Sequence, residues 1–237
     1  MMLMFNIFLV LFGIVLKIIF SLFIILKLLI KNKINYKDEW INTYFNNKIV
    51  VKGTINIPQQ NGYIVITNHI SFEDGFFIHK IFKNIKFVVA NGIIAKLFYK
   101  NHPDCIYYNI DPKNKINSGI EVKKQILEYT QNKINISIFP EGEFCNIDSL
   151  IVFKKGLFYL AYENNITIVP TLILLKKRSK FIFNYNINLN EKVVIKIFKP
   201  VKPSKFKSFD NYYSYIYNLM NNNYKKYVKK NNYDLIL

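Results

Sequence analysis

Between residues 49 and 198, short apolar runs alternate with segments spaced like amphipathic helices, and that alternation leaves few folds open. Residues 49–52, 63–67, 86–90, 135–139, 167–175 and 193–198 read as strands. The run at 63–67 is apolar without alternation, as a central strand covered on both faces must be. The run at 167–175 is long and apolar, interrupted by Pro170. Helices are predicted from about Ser71 to about Phe82, over 116–131 with Ile116, Ile120, Ile126 and Leu127 at helical spacing, and over 155–163. Alternating strands and helices predict an α/β sandwich around a largely parallel sheet. In the tail, 208–229, Phe209, Tyr212, Tyr213, Ile216, Leu219 and Met220 recur at helical spacing. That pattern reads as an amphipathic helix packed on the core, the other reading being a Tyr- and Lys-rich helix in a membrane interface.

Residues 1–30 are apolar throughout, broken by Asn6, Lys17, Ser21 and Lys27. At about 1.5 Å per residue, a helix of this length exceeds the roughly 30 Å hydrocarbon core. The run is too long for a signal peptide, and no A-x-A-like site follows it. Residues 1–35 are therefore read as a hydrophobic membrane-anchoring helix, with a domain at 36–237. Lys17 leaves open a single tilted span, a re-entrant monotopic anchor, or packing in a soluble fold. Lys27, Lys31, Lys33 and Lys37 cluster at and beyond its end, which places the domain on the cytosolic side of the membrane.

The formal net charge of +18 calls for an anionic partner such as a membrane surface or a phosphorylated substrate. AT-rich codons share responsibility for it, since Lys, Asn and Ile crowd the chain and Arg178 is the only arginine. Nucleic acid is disfavoured, because neither clustered arginine nor a reading module is present. Cys105 and Cys145 lie far apart, so the sequence holds neither a disulfide framework nor a zinc ligand set, and they read as free thiols. No metal or cofactor is predicted.

Two segments carry chemistry. In Asn68-His69-Ile70-Ser71-Phe72-Glu73-Asp74 a buried strand ends and a helix begins. A neutral imidazole can take a proton from an attacking hydroxyl when a carboxylate holds its other nitrogen. Asp74, five residues on, can fold back to the Nδ1 side of His69. Ser71-x-x-Asp74 also matches a helix capping box, and the two readings are compatible. The second segment, Phe139-Pro140-Glu141-Gly142, shapes a turn that presents Glu141 at its crest. Phe153-Lys154-Lys155-Gly156 and Val169-Pro170 follow.

In order and spacing, these blocks resemble the glycerolipid acyltransferase family, the lysophosphatidic acid acyltransferase-like proteins. That family opens on Asn-His-x-x-x-x-Asp, matched by Asn68, His69 and Asp74. It continues with Phe-Pro-Glu-Gly, matched at 139–142, and with the two later blocks. The resemblance spans about residues 45–200. It implies that His69 is the general base on the acceptor hydroxyl and Asp74 its orienting partner. The hydroxyl would attack acyl-CoA, the acyl donor substrate, converting lysophosphatidic acid to phosphatidic acid. Asn68 and the turn formed by Phe139, Pro140, Glu141 and Gly142 would hold the acceptor, with Val169-Pro170 lining the site.

Two departures bear on the acceptor. Pro112 stands where the family commonly has a phosphate-binding Arg, and Glu143-Phe144-Cys145 replaces the frequent Thr-Arg-Ser. Lys113, Lys115, Lys154 or Lys155 would substitute as point charges, without the bidentate fork of Arg. Glycerol 3-phosphate and other lysophospholipids are the alternative acceptors. A non-catalytic lipid-binding membrane protein is the reading from another class, disfavoured by intact His69, Asp74 and Glu141.

Overall fold

In the computed structural model the described residues are 49–70, 74–90, 104–109, 111, 113, 115–144, 149–175 and 193–231. The chain divides into two compact units, Met1–Trp40 and Ile41–Leu237, and all described residues lie in the second. The hydrophobic anchor expected at 1–35 and the boundary near 34–40 lie outside the described residues. No helix among the described residues is long and apolar enough to cross a membrane.

Seven strands form one sheet: β1 (Ile49–Lys52), β2 (Ile64–Thr67), β3 (Ile85–Ala90), β4 (Cys105–Tyr108), β5 (Asn135–Ile138), β6 (Ile168–Leu175) and β7 (Val193–Ile197). Their order is β1-β7-β6-β2-β5-β3-β4. The five strands from β6 to β4 run parallel. β7 reverses direction against β6, and β1 runs parallel to β7. A mixed α/β fold with a largely parallel sheet is what the alternation predicted. β4 was not assigned from the sequence, and the reversal of β7 was not foreseen.

The bare apolar run in β2 has the expected cause: Ile64, Val65, Ile66 and Thr67 are all fully buried at the centre of the sheet. Ile66 pairs with Ile138 on one side and Pro170 on the other, so the ends of β2 and β5 lie side by side. Among the described residues four α-helices accompany the sheet: α1 (Asp74–Ile81), α2 (Lys115–Gln131), α3 (Lys155–Glu163) and α4 (Phe209–Asn231). α4 packs on the core, burying Tyr212, Tyr213, Ile216, Met220 and Tyr224. The Tyr213 hydroxyl donates to the Phe153 carbonyl at 2.7 Å. Burial also pushes the Tyr212 phenol well above the usual tyrosine range.

α2 turns a different face inward from the one its apolar spacing suggested. Val122, Ile126 and Thr130 are buried, whereas Ile116 and Ile120 are 77% and 63% exposed. At about 100° per residue, Ile120 sits roughly 120° round the helix from Ile126, so the two cannot share a core-facing stripe.

Candidate active site

The site forms where β2 leaves the sheet. Asn68, fully buried, extends the pairing of β2 with β6 through its side chain. Its Nδ2 donates to the Ile173 carbonyl at 3.0 Å, and its Oδ1 accepts from the Ile173 N–H at 2.8 Å. Both ends of the side chain, expected to hold an acceptor, bond the β6 backbone. The consequence is a fixed exit: the backbone of the next residue, His69, leaves the sheet from a pinned point.

His69 is then held from two directions. Its backbone N–H donates to Glu141 Oε1 at 3.0 Å, and its Nδ1 lies 2.9 Å from Asp74 Oδ2. The same Asp74 oxygen accepts the Ile70 N–H at 2.6 Å. Asp74 is fully buried and is the first residue of α1, where the helix field favours a negative charge. A carboxylate at this position can only accept, which suits the tautomer with its proton on Nδ1 and its lone pair on Nε2. The ring is 24% exposed. Ser71, the other half of the expected capping box, lies outside the described residues.

Glu141 is 1% exposed, and its second oxygen accepts the Ile151 N–H at 2.7 Å. The carboxylate therefore bridges the exit of β2 and the segment leading to α3. It points into the protein, not outward to an acceptor as the turn alone had suggested. The turn itself is closed by the Gly142 N–H donating to the Phe139 carbonyl at 3.1 Å, and Lys154 N–H donates to the Pro140 carbonyl at 2.9 Å. Gly142 takes a φ of 73°, and a Cβ there would collide with the Lys154 side chain, whose ammonium lies across it. Phe139 stacks on His69, with ring centroids 4.3 Å apart and planes at 19°. Phe144 does the same at 4.2 Å and 30°.

A family model described as Acyltransferase matches residues 48–174, more than half of the chain and the whole of this site. The chain belongs to the acyltransferase family. It is 26% identical over 175 residues to a chloroplastic 1-acyl-sn-glycerol-3-phosphate acyltransferase of Arabidopsis thaliana, covering 70% of this chain and 47% of that protein. It is 25% identical over 167 residues to the 1-acyl-sn-glycerol-3-phosphate acyltransferase of Borreliella burgdorferi, covering 69% of this chain and 65% of the relative. The enzyme of the same name from Saccharomyces cerevisiae is 26% identical over 165 residues, 65% of this chain and 51% of the relative. The matches thus span about half to two thirds of these relatives' length. In fold, the chain is similar to the crystal structure of the 1-acyl-sn-glycerophosphate acyltransferase from Thermotoga maritima. The TM-score is 0.59 and the identity 19%, over 84% of this chain and 81% of that one.

In this family member Lys154, Lys155 and Lys113 have different surroundings. Lys154 is placed against the 139–142 turn. Lys155 lies 3.7 Å from Asp210 and stands over the Phe209 and Tyr213 rings, so it faces α4. Lys113 is exposed in the segment that follows β4, and β4 itself is the third strand from β2 in the sheet. Val169 and Pro170 are buried within β6, Pro170 paired with Ile66, and back the site without lining it. Among the described residues, no group of three His, Cys, Asp or Glu could hold a metal ion. Phe144 is the site residue that sequence reasoning missed; its only signal was an aromatic ring where the family often has arginine.

Proposed function

We propose that this chain is an acyl-CoA-dependent O-acyltransferase that converts lysophosphatidic acid to phosphatidic acid. The observation that carries the reading is the His69–Asp74 pair, with Nδ1 bonded at 2.9 Å to a buried carboxylate and Nε2 left to meet a substrate. The names of the relatives support the choice of acceptor. In the reaction, Nε2 takes the proton of the acceptor hydroxyl as its oxygen attacks the thioester carbonyl. The new ester C–O bond forms and the C–S bond breaks. The imidazolium then returns the proton to the departing CoA thiolate. Asp74 fixes the tautomer and stabilises the imidazolium in between. Lys154, lying across Gly142, is the cation best placed to meet the acceptor phosphate.

The apolar residues 1–30 would anchor the chain as a single-pass or monotopic membrane protein, with the catalytic domain on the cytosolic side. Membranes bearing the protein, given labelled oleoyl-CoA and a panel of lysophosphatidic acid, glycerol 3-phosphate and lysophosphatidylcholine, should yield labelled phosphatidic acid. Labelled product from another acceptor only would replace the substrate assignment, and no acyl transfer to any would favour a lipid-binding role.

A further inference from the structure

We propose that Phe144 is a positioning residue for the base: with Phe139 it grips both faces of the His69 imidazole and stabilises the imidazolium formed during acyl transfer. This rests on the reading of His69 as the general base. Both rings lie close to parallel with the imidazole, at 4.3 Å and 4.2 Å between centroids. Two phenyl rings cannot both sit that close to one face of a five-membered ring without overlapping each other, so they cover opposite faces. Nδ1 is covered by Asp74. His69 stays 24% exposed, and the part of the ring left uncovered by these contacts is the edge away from Nδ1, which includes Nε2.

Such a grip has two physical effects. It restricts rotation about the Cβ–Cγ bond, so Nε2 is presented along one direction before the acceptor arrives. It also places the negative faces of two aromatic quadrupoles against a ring that becomes cationic in the transition state. That stabilisation is stronger for the imidazolium than for neutral imidazole, so it acts on turnover more than on acceptor binding. The substitution carries a second meaning. Phe144 occupies the position where Thr-Arg-Ser would put its arginine. A guanidinium stacked there would oppose protonation of His69, whereas a phenyl ring favours it. The charged groups near the imidazole are Asp74 at Nδ1 and Glu141 at the backbone N–H, opposite in sign to the imidazolium, and Lys154 across the turn, of the same sign.

The test uses the full chain in detergent micelles, labelled with ring-¹³C histidine. Three histidines, His69, His79 and His102, make assignment by single substitution practical. Stacking on both faces should displace the His69 Hε1 resonance upfield. Phe144→Leu, close in volume but without a π face, should move it downfield. It should also lower kcat by between about 2-fold and about 30-fold, the range a cation–π contact carries, with acceptor KM changed less than about twofold. Phe144→Tyr should recover most of both effects. An unmoved resonance in Phe144→Leu would show that the ring does not stack, and a moved resonance with full kcat would show that stacking is mere packing. Either overturns the proposal. Full turnover in His69→Ala would instead overturn the base reading, while the His69 resonance of the parent and of Phe144→Leu still reports the stack.

Discussion

The two sides of the site are built differently. His69, the proposed base, lies in a frame of buried side chains bonded to backbone: Asn68 to Ile173, Glu141 to His69 and Ile151, and Asp74 to Ile70. Each of the three side chains makes two hydrogen bonds, so the imidazole is held from more than one direction. On the other side Lys154, an exposed lysine, lies along a glycine, while its neighbour Lys155 turns to an aspartate that is 82% exposed. The contrast fits the demands on each group. Proton transfer needs a nitrogen placed to within a fraction of an ångström, whereas a point charge holds a phosphate tolerantly over a wider range.

The largest effect should come from removing the base. His69→Ala should lower kcat by about 10²–10⁴, which is about 3–5 kcal/mol of barrier, in protein that stays folded and membrane-bound. Asp74→Asn should be comparably severe, because the amide neither holds the reactive tautomer nor stabilises the imidazolium. His79→Ala and His102→Ala should be far milder. Acyl-transfer assays on matched membranes check this, and near-normal turnover in folded His69→Ala would dissolve the contrast drawn above.

The frame comes next. Asn68→Ala would leave the N–H and carbonyl of Ile173 buried without their present partner, at about 1–3 kcal/mol each. For a domain of this size the melting temperature should fall by about 5–15 °C. Glu141→Gln keeps the shape but turns an NH₂ donor toward a backbone N–H, and should lower both stability and kcat. Thermal unfolding followed by circular dichroism reads the first effect. An unchanged melting temperature in Asn68→Ala would mean that the exit of β2 is pinned by something else.

Much of this architecture was legible in the residues, and the exceptions have physical reasons. α3 spans Lys155–Glu163 and β1 spans Ile49–Lys52 as read, because each is set off by a sharp change of texture. The five-residue spacing of His69 and Asp74 predicted a contact that the start of α1 delivers. β4 escaped notice because only Ile106 of its four residues is buried, so it offers neither an apolar run nor alternation. Strand direction is not written in hydrophobic pattern, which hid the reversal of β7. The inward roles of Asn68 and Glu141 depend on partners 105 and 72 positions away, beyond the reach of any local motif. Phe144 depends on the path taken after a left-handed glycine, which spacing alone does not set.

On the cationic side, Lys154→Ala should raise acceptor KM by about tenfold, or about 1.4 kcal/mol, with a smaller change in kcat. The effect should shrink for an acceptor without a phosphomonoester. An equal loss on both acceptors would remove Lys154 from phosphate recognition and leave its packing on Gly142 as its role.

The smallest effect belongs to Lys155→Ala, and it sharpens the contrast most. Lys155 stands next to Lys154 in sequence, and spacing alone cannot separate them. The fold does: as the first residue of α3, Lys155 reaches an exposed Asp210 at 3.7 Å and two rings of α4, Phe209 and Tyr213. An exposed pair of this kind is worth under about 1 kcal/mol, because water screens the charges and ordering two long side chains opposes the contact. Cation–π contact at an exposed site adds about the same again at most. Acceptor KM should therefore stay within about twofold of the parent, while the melting temperature falls by no more than about 4–8 °C. Measuring KM and unfolding on the same preparation separates two adjacent lysines by function. A KM shift in Lys155→Ala equal to that of Lys154→Ala would mean that Lys155 leaves α4 to meet the acceptor, and that the cationic side rearranges when substrate binds.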